Sequence, residues 1–218
     1  MRWYGDYISR NYTWFRDDRL LRLTEEFFGE RPPVVKDRYF NIYNLAQLSH
    51  GIPGDTVECG VHEGFGSFLI LRATEDKGKI HHGFDSFEGL SEPDPVDIAP
   101  GAPYEWKKGD LAVSFESVQS RFAAYPNVRL YKGWIPEVFA YATIKSVSFL
   151  HIDVDLNQPS EDSLESFYKL VSTGGVILFD DYSSTSCPGQ KAAVDEFFED
   201  KPEPIVSLST CQAFVIKH

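Results

Sequence analysis

From Asp55 onward, short runs rich in β-branched and aromatic residues alternate with longer stretches whose apolar positions recur at helical spacing. This is the pattern of βαβ units that assemble into a parallel sheet. It predicts seven strands, near Thr56–Gly60, Ile80–Phe84, Val128–Lys132, Val147–Ile152, Gly175–Phe179, Pro204–Ser207 and Ala213–Lys217. A helix is expected over Ser67–Lys77. Another should start near Pro159-Ser160-Glu161-Asp162, where Pro and acidic residues suit a first turn, and stop at Gly174-Gly175. Only Leu208-Ser209-Thr210 joins the last two strands, too little for a crossover helix, so they should pair antiparallel as a hairpin. The fold class read from this pattern is α/β, a doubly wound, Rossmann-like seven-stranded sheet with an antiparallel final hairpin.

Two stretches break the rhythm. Before residue 54, Trp3, Tyr4, Tyr7, Tyr12, Trp14, Phe15, Phe27 and Phe28 crowd a segment also rich in Arg and Asp. Residues 1–53 are therefore read as an N-terminal helical cap on a domain spanning 54–218, with an aromatic surface suited to self-association into a homo-oligomer. Residues 87–108 carry Pro93, Pro95, Pro100 and Pro103 just after the second strand and are read as a lid.

Composition narrows the function classes. A chain of 218 residues with 42% hydrophobic content can bury the core of one α/β domain. Its 33 acidic and 21 basic residues give a formal charge of -12, which repels phosphate backbones and anionic lipid heads, so neither nucleic acid nor a membrane is the expected partner. Cys59, Cys187 and Cys211 lack the paired spacing of a zinc site or a disulfide framework, and no apolar run approaches the ~20 residues of a membrane span. With no apolar signal segment at the N-terminus, a reducing cytoplasmic location is expected.

The candidate chemistry lies at the strand ends. The first strand runs out in Glu58-Cys59-Gly60-Val61-His62-Glu63-Gly64-Phe65-Gly66-Ser67, a glycine-rich turn into a helix that lets backbone approach a ligand closely. Asp85 ends the second strand, where an acidic side chain of a doubly wound fold accepts hydrogen bonds from ribose hydroxyls. The spacing differs from the dinucleotide G-x-G-x-x-G, and Glu58 would repel a phosphate, which favours a cationic, phosphate-free nucleoside cofactor. A tight turn without a ligand, with Asp85 as a helix cap, is the plainer alternative.

Asp153 follows the fourth strand and Asp180-Asp181 the fifth, each after a continuous apolar run. Adjacent parallel strands bring their carboxyl ends together, and three carboxylates gathered there need protons or a cation. An all-oxygen set suits a hard ion such as Mg²⁺. Arg38, by contrast, is read as a surface ion-pair residue, and His151 as a packing residue of the fourth strand.

With these pieces in order, the chain resembles the macrocin O-methyltransferase family. The resemblance runs from about Gly54 to the C-terminus. It is carried by Asp55-Thr56-Val57-Glu58-Cys59-Gly60-Val61, Asp85-Ser86-Phe87-Glu88-Gly89-Leu90, Gly133-Trp134-Ile135-Pro136, Asp153-Val154-Asp155-Leu156 and Gly174-Gly175-Val176-Ile177-Leu178-Phe179-Asp180-Asp181-Tyr182. It implies a class I methyltransferase fold, S-adenosylmethionine as donor, Mg²⁺ as the ion, and a hydroxyl of a small molecule, a natural-product sugar, as acceptor. Position by position it implies cofactor contacts at Glu58, Cys59, Gly60, Val61, His62, Gly64 and Ser67, at Asp85 and Ser86, and at Gly133 and Trp134. Asp153, Asp180 and Asp181 would hold the metal, with Asp153 also the catalytic proton acceptor. The chain departs from the family at Asn157-Gln158-Pro159, where a Tyr followed by an acidic residue is usual, so acceptor contacts should differ. Tyr104 and Trp106 of the lid would offer flat faces to the acceptor. Two other classes remain open: a nucleotide-dependent oxidoreductase or epimerase on a similar sheet, and a non-catalytic binding protein of the same fold.

Overall fold

The structure, a computed structural model, describes residues 16–30, 36–75, 78–102 and 104–218. The aromatic residues Trp3 to Phe15, on which most of the self-association reading rests, lie outside the described residues.

Among the described residues, two helices precede the sheet: α1 (Asp18–Phe28) and α2 (Asp37–Leu48). The strands are β1 (Asp55–Cys59), β2 (His81–Asp85), β3 (Val128–Lys132), β4 (Val147–Ile152), β5 (Val171–Phe179), β6 (Val206–Ser207) and β7 (Ala213–Ile216). Between them lie α3 (Phe65–Thr74), α4 (Phe115–Arg121), α5 (Asn157–Phe167) and α6 (Pro188–Phe198). The seven strands form one sheet in the order β3-β2-β1-β4-β5-β7-β6. β1 to β5 pair in parallel, while β7 runs antiparallel to both β5 and β6. The doubly wound architecture and its final hairpin are thus as the alternation of apolar runs predicts.

Side chains of the central strands alternate between two cores, as a pleat of period two requires. Phe149, Val176 and Leu178 face a core built with α1, α2 and α3, including Leu20, Ile42, Ala46, Phe68 and Leu69. Leu150, Ile152, Ile177 and Phe179 face the other, with Leu164 and Phe167 of α5 and Val194 and Phe198 of α6. Helices on both faces leave the central strands dry, which is why β4 is buried along its whole length.

One boundary is refined and one expectation needs correction. The helix after β4 begins at Asn157, which puts Pro159 inside the first turn, where its missing N–H costs nothing. That helix ends at Phe167 and passes through a short 3₁₀ turn, Tyr168–Leu170, so Gly174-Gly175 do not stop it. They lie within β5, where Gly174 takes φ +83° and the pairing with β4 jumps from Val147↔Val171 to Phe149↔Val176. The glycines permit a bulge, a use of local backbone freedom that resembles a helix stop in sequence.

Residues 87–102 and 104–108 lie at the carboxyl edge of the sheet and are fastened to it at several points. The buried carboxylate of Asp97 accepts the N–H of Asn157 at 2.7 Å, at the start of α5. Trp106 Nε1 donates to Cys187 Sγ at 3.2 Å, ahead of α6. Among the described residues, no helix is long and apolar enough to cross a membrane.

Candidate functional site

The site is assembled by continuing the parallel hydrogen-bond ladder one residue past the strand ends. Gly60 N–H donates to Phe84 O at 2.9 Å, Asp153 N–H to Cys59 O at 2.8 Å, and Asp180 N–H to Ile152 O at 3.0 Å. Asp153 and Asp180 are therefore carried to one edge by the ladder, next to the switch point between β1 and β4. Gly60 is required there for a steric reason: it has φ +88°, and a Cβ at this position would sit 1.8 Å from the Asp153 carbonyl oxygen. The glycine turn thus fits directly against the strand that ends in the carboxylates.

A cavity opens at this edge, with Gly60, His62, Asp85, Ser86, Trp134 and Asp153 among its walls. Asp85 faces it while holding the glycine turn in place. One carboxylate oxygen accepts the N–H groups of Val61 and His62, both at 2.8 Å, and the other accepts that of Phe87 at 2.6 Å. A carboxylate has about four acceptor directions, so capacity remains for a ligand hydroxyl.

Other expected contacts lie elsewhere. Cys59 is fully buried, in the core with Leu150 and Ile152. Gly64 packs against Phe122 and Val118, and Gly133 donates its N–H to Asp85 O from below. Val61 is buried against the α3 core. Glu58 and Ser67 are buried and hydrogen-bonded to each other. Glu58, Cys59 and Ser67 therefore support the turn from behind with side chains directed into the protein, rather than presenting them to the cavity.

Glu58 connects instead to the carboxylate edge. The fully buried imidazole of His151 reaches Glu58 Oε1 with Nδ1 at 2.9 Å and Asp180 Oδ1 with Nε2 at 3.3 Å. Burial disfavours the charged ring, but hydrogen bonds to Asp180 and Glu58 overcome this and push its pKa up to about 10. Burial raises Glu58 and Asp180 as well, and the same bonds more than reverse that, leaving both below the ordinary carboxylate range. A buried Glu–His–Asp bridge thus replaces the apolar packing expected of His151. An ionisable residue in the largely apolar run Val147–Ile152 was its signal in the sequence.

Asp153, Asp180 and Asp181 meet at this edge, but not as an isolated trio. The potential ligand atoms of His151, Asp153 and Asp180 lie within 4.8 Å of one another, and those of Asp155, Asp181 and Cys187 form a second such group. Burial, then the charges of Asp180 and Asp181, push the Asp153 carboxyl well above its ordinary range. Burial and Asp181 raise Asp155 to about 7. Arg38 enters from the first turn of α2: Nη2 lies 2.6 Å from Asp180 Oδ2, 2.5 Å from Asp181 Oδ1 and 2.5 Å from the Asp180 carbonyl oxygen. Part of the neutralisation that these carboxylates need comes from the protein itself, since Arg38 and the His151 imidazolium already supply positive charge. Arg38 lies 142 positions from Asp180 in the chain, and nothing in its local sequence marks the contact.

Comparison with known proteins identifies the family. The family model described as Macrocin-O-methyltransferase (TylF) matches residues 37–214. The chain belongs to the macrocin O-methyltransferase family. It is 33% identical over 159 residues to demethyldecarbamoylnovobiocin O-methyltransferase of Streptomyces niveus, covering 69% of this chain and 60% of the relative. It is 32% identical over 149 residues to 8-demethyl-8-(2,3-dimethoxy-alpha-L-rhamnosyl)-tetracenomycin-C 4'-O-methyltransferase of Streptomyces olivaceus, covering 64% and 57%. The matches thus span about three fifths of these curated relatives. Among solved structures, the O-methyltransferase NovP superposes with a TM-score of 0.68 at 26% identity, over 98% of each chain. The family match begins at Asp37, so α2 and Arg38 lie within it.

Proposed function

We propose that the protein transfers the methyl group of S-adenosylmethionine to a hydroxyl of a small molecule, most naturally a sugar of a natural product. The observation that carries this reading is one cavity whose wall joins the Gly60 turn and Asp85 to Asp153. A nucleoside held by its hydroxyls at Asp85 would extend its sulfonium end along Gly60 toward Asp153. Two similar proteins are named for methylating demethyldecarbamoylnovobiocin and a rhamnosyl-tetracenomycin, which supports the acceptor class. Trp134, 40% exposed at the cavity, offers a flat apolar face to a ring.

The charge balance supports a divalent cation at Asp153, Asp180 and Asp181. Among the described residues, Asp153, Asp155, Asp180 and Asp181 face Arg38 and His151 as positive groups, and burial with the charges of Asp180 and Asp181 still pushes the Asp153 carboxyl well above its ordinary range. A hard ion suits that surplus of oxygen donors, with Mg²⁺ the proposed occupant. When bound, such an ion would polarise the acceptor hydroxyl and ease its deprotonation. Of the three proposed ligands, Asp153 lines the cavity and adjoins Gly60, and once ionised beside the bound ion it is placed to take the hydroxyl proton as the new O–C bond forms and the methyl–sulfur bond breaks. The strap over residues 87–108, fastened through Asp97 and Trp106, would exclude water and orient the two reactants.

Isothermal titration with S-adenosylhomocysteine and with NAD(P) tests the cofactor. Binding of the first alone supports methyl transfer, and binding of a dinucleotide alone would establish the oxidoreductase or epimerase reading in its place. Transfer of labelled methyl to natural-product glycosides, with Mg²⁺ and with a chelator, tests turnover. Cofactor binding without transfer to any glycoside or phenol would favour a non-catalytic binding protein.

A further inference from the structure

An arginine that pairs with carboxylates usually spreads the contact over two nitrogens of its planar fork. Arg38 does not. A single nitrogen, Nη2, meets three oxygens at 2.5–2.6 Å: the Asp180 carbonyl, Asp180 Oδ2 and Asp181 Oδ1. Its buried Nε has no hydrogen-bond partner among the described residues. The guanidinium therefore gives up part of its own hydrogen bonding to seat one positively charged atom in an oxygen cradle. Ca²⁺ takes oxygen ligands at about 2.3–2.6 Å and Mg²⁺ at about 2.0–2.1 Å, so Nη2 stands where an ion would, in a cradle that a smaller ion would draw in by about half an ångström.

The same residue can leave. Its side chain is 37% exposed, against 6% and 7% for those of Asp180 and Asp181, so a rotamer change would carry the guanidinium toward solvent without disturbing the core. The carboxylates cannot follow, because Asp180 is also held by His151 and Gln212, and the Asp181 N–H is held by Gln190 Oε1 at 2.7 Å. A fixed oxygen cradle and a movable cation are the elements of a competitive site.

We propose that Arg38 is a displaceable counter-cation, competing with a divalent metal ion for the Asp180 carbonyl, Asp180 Oδ2 and Asp181 Oδ1. Helix α2 then sets how readily the site accepts an ion, and Arg38 is a specificity-determining residue rather than a ligand. The inference rests on the reading of Asp153, Asp180 and Asp181 as a cation site.

Mn²⁺ serves as the probe, with free ion counted by electron paramagnetic resonance in the full chain. Removing the competitor removes the occupancy penalty on the apparent affinity, so Arg38→Gln should bind Mn²⁺ more tightly by about tenfold or more. Adding Asp180→Asn to that variant should abolish the gain, placing the ion at this cradle. Equal or weaker binding by Arg38→Gln would overturn the competition while leaving the cation site standing. No Mn²⁺ binding by either protein would remove the cation site, and the competition with it. A readout on the unaltered protein covers a variant that fails to fold: saturating Mn²⁺ should increase modification of Arg38 by phenylglyoxal, measured by peptide mass spectrometry, and unchanged or reduced modification would overturn the proposal.

Discussion

The two halves of the carboxyl edge solve different problems. At the β1–β2 end, backbone N–H groups of Val61, His62 and Phe87 converge on Asp85, and charge is satisfied by neutral dipoles beside an open cavity. At the β4–β5 end, buried carboxylates meet a buried imidazolium and an arginine, and charge is satisfied by opposite charge. The first arrangement needs only the backbone of two neighbouring strand ends and tolerates solvent. The second needs partners from α2, β1, β4, β5 and β7 and holds only while all are in place, because a buried charge that loses its partner costs far more than an exposed one. The His151 bridge ties the halves together, reaching Glu58 under the glycine turn and Asp180 under the carboxylates.

The largest expected effect is on chemistry at the charged half. Asp153→Asn should lower kcat/KM for methyl transfer by roughly 10²–10⁴, the usual contribution of a positioned proton acceptor, while S-adenosylhomocysteine binding at the other half stays within a few-fold. Steady-state kinetics paired with calorimetry separate the two, and equal loss of both would show that the halves are not functionally distinct.

Next is the bridge itself. His151→Leu leaves Glu58 and Asp180 buried without their shared cation, and should destabilise the fold by about 3–5 kcal/mol in urea titration at pH 7. The pH dependence sharpens this. Because the folded pKa of His151 is raised from the ordinary 6.5 to about 10, its contribution is complete below pH 6.5 and is lost as pH rises toward 10. Wild-type stability should fall through that window and the variant's should fall less, so parallel curves would rule out a charged His151.

A smaller effect is expected at the junction. Gly60→Ala would press a Cβ against the Asp153 carbonyl from a left-handed backbone position, costing roughly 3 kcal/mol and weakening cofactor binding. A variant with unchanged midpoint and unchanged affinity would mean that the glycine turn and β4 are not in the close contact seen here.

Legibility in the sequence follows the same division. The strand ends at Gly60, Asp85, Asp153 and Asp180 were readable because each closes a short strand-like run, and the fold carries such ends to one edge. The inward turn of Glu58, Cys59 and Ser67 was less readable, since a motif shows which residues form a turn but not which face each side chain takes. Gly174-Gly175 carried the same signal for a helix stop as for a strand bulge, and the pairing with β4 decided between them.

By itself, the order of apolar runs and their punctuation determined the doubly wound sheet, its antiparallel hairpin and the gathering of acidic residues at one edge, because those depend on periodicity and on chain connections too short for any other path. Which charges face those acids was decided only by tertiary structure. Arg38, His151 and Gln212 reach Asp180 from distant points of the chain, and a buried ion pair depends on the distance between two groups in space, which local sequence does not encode.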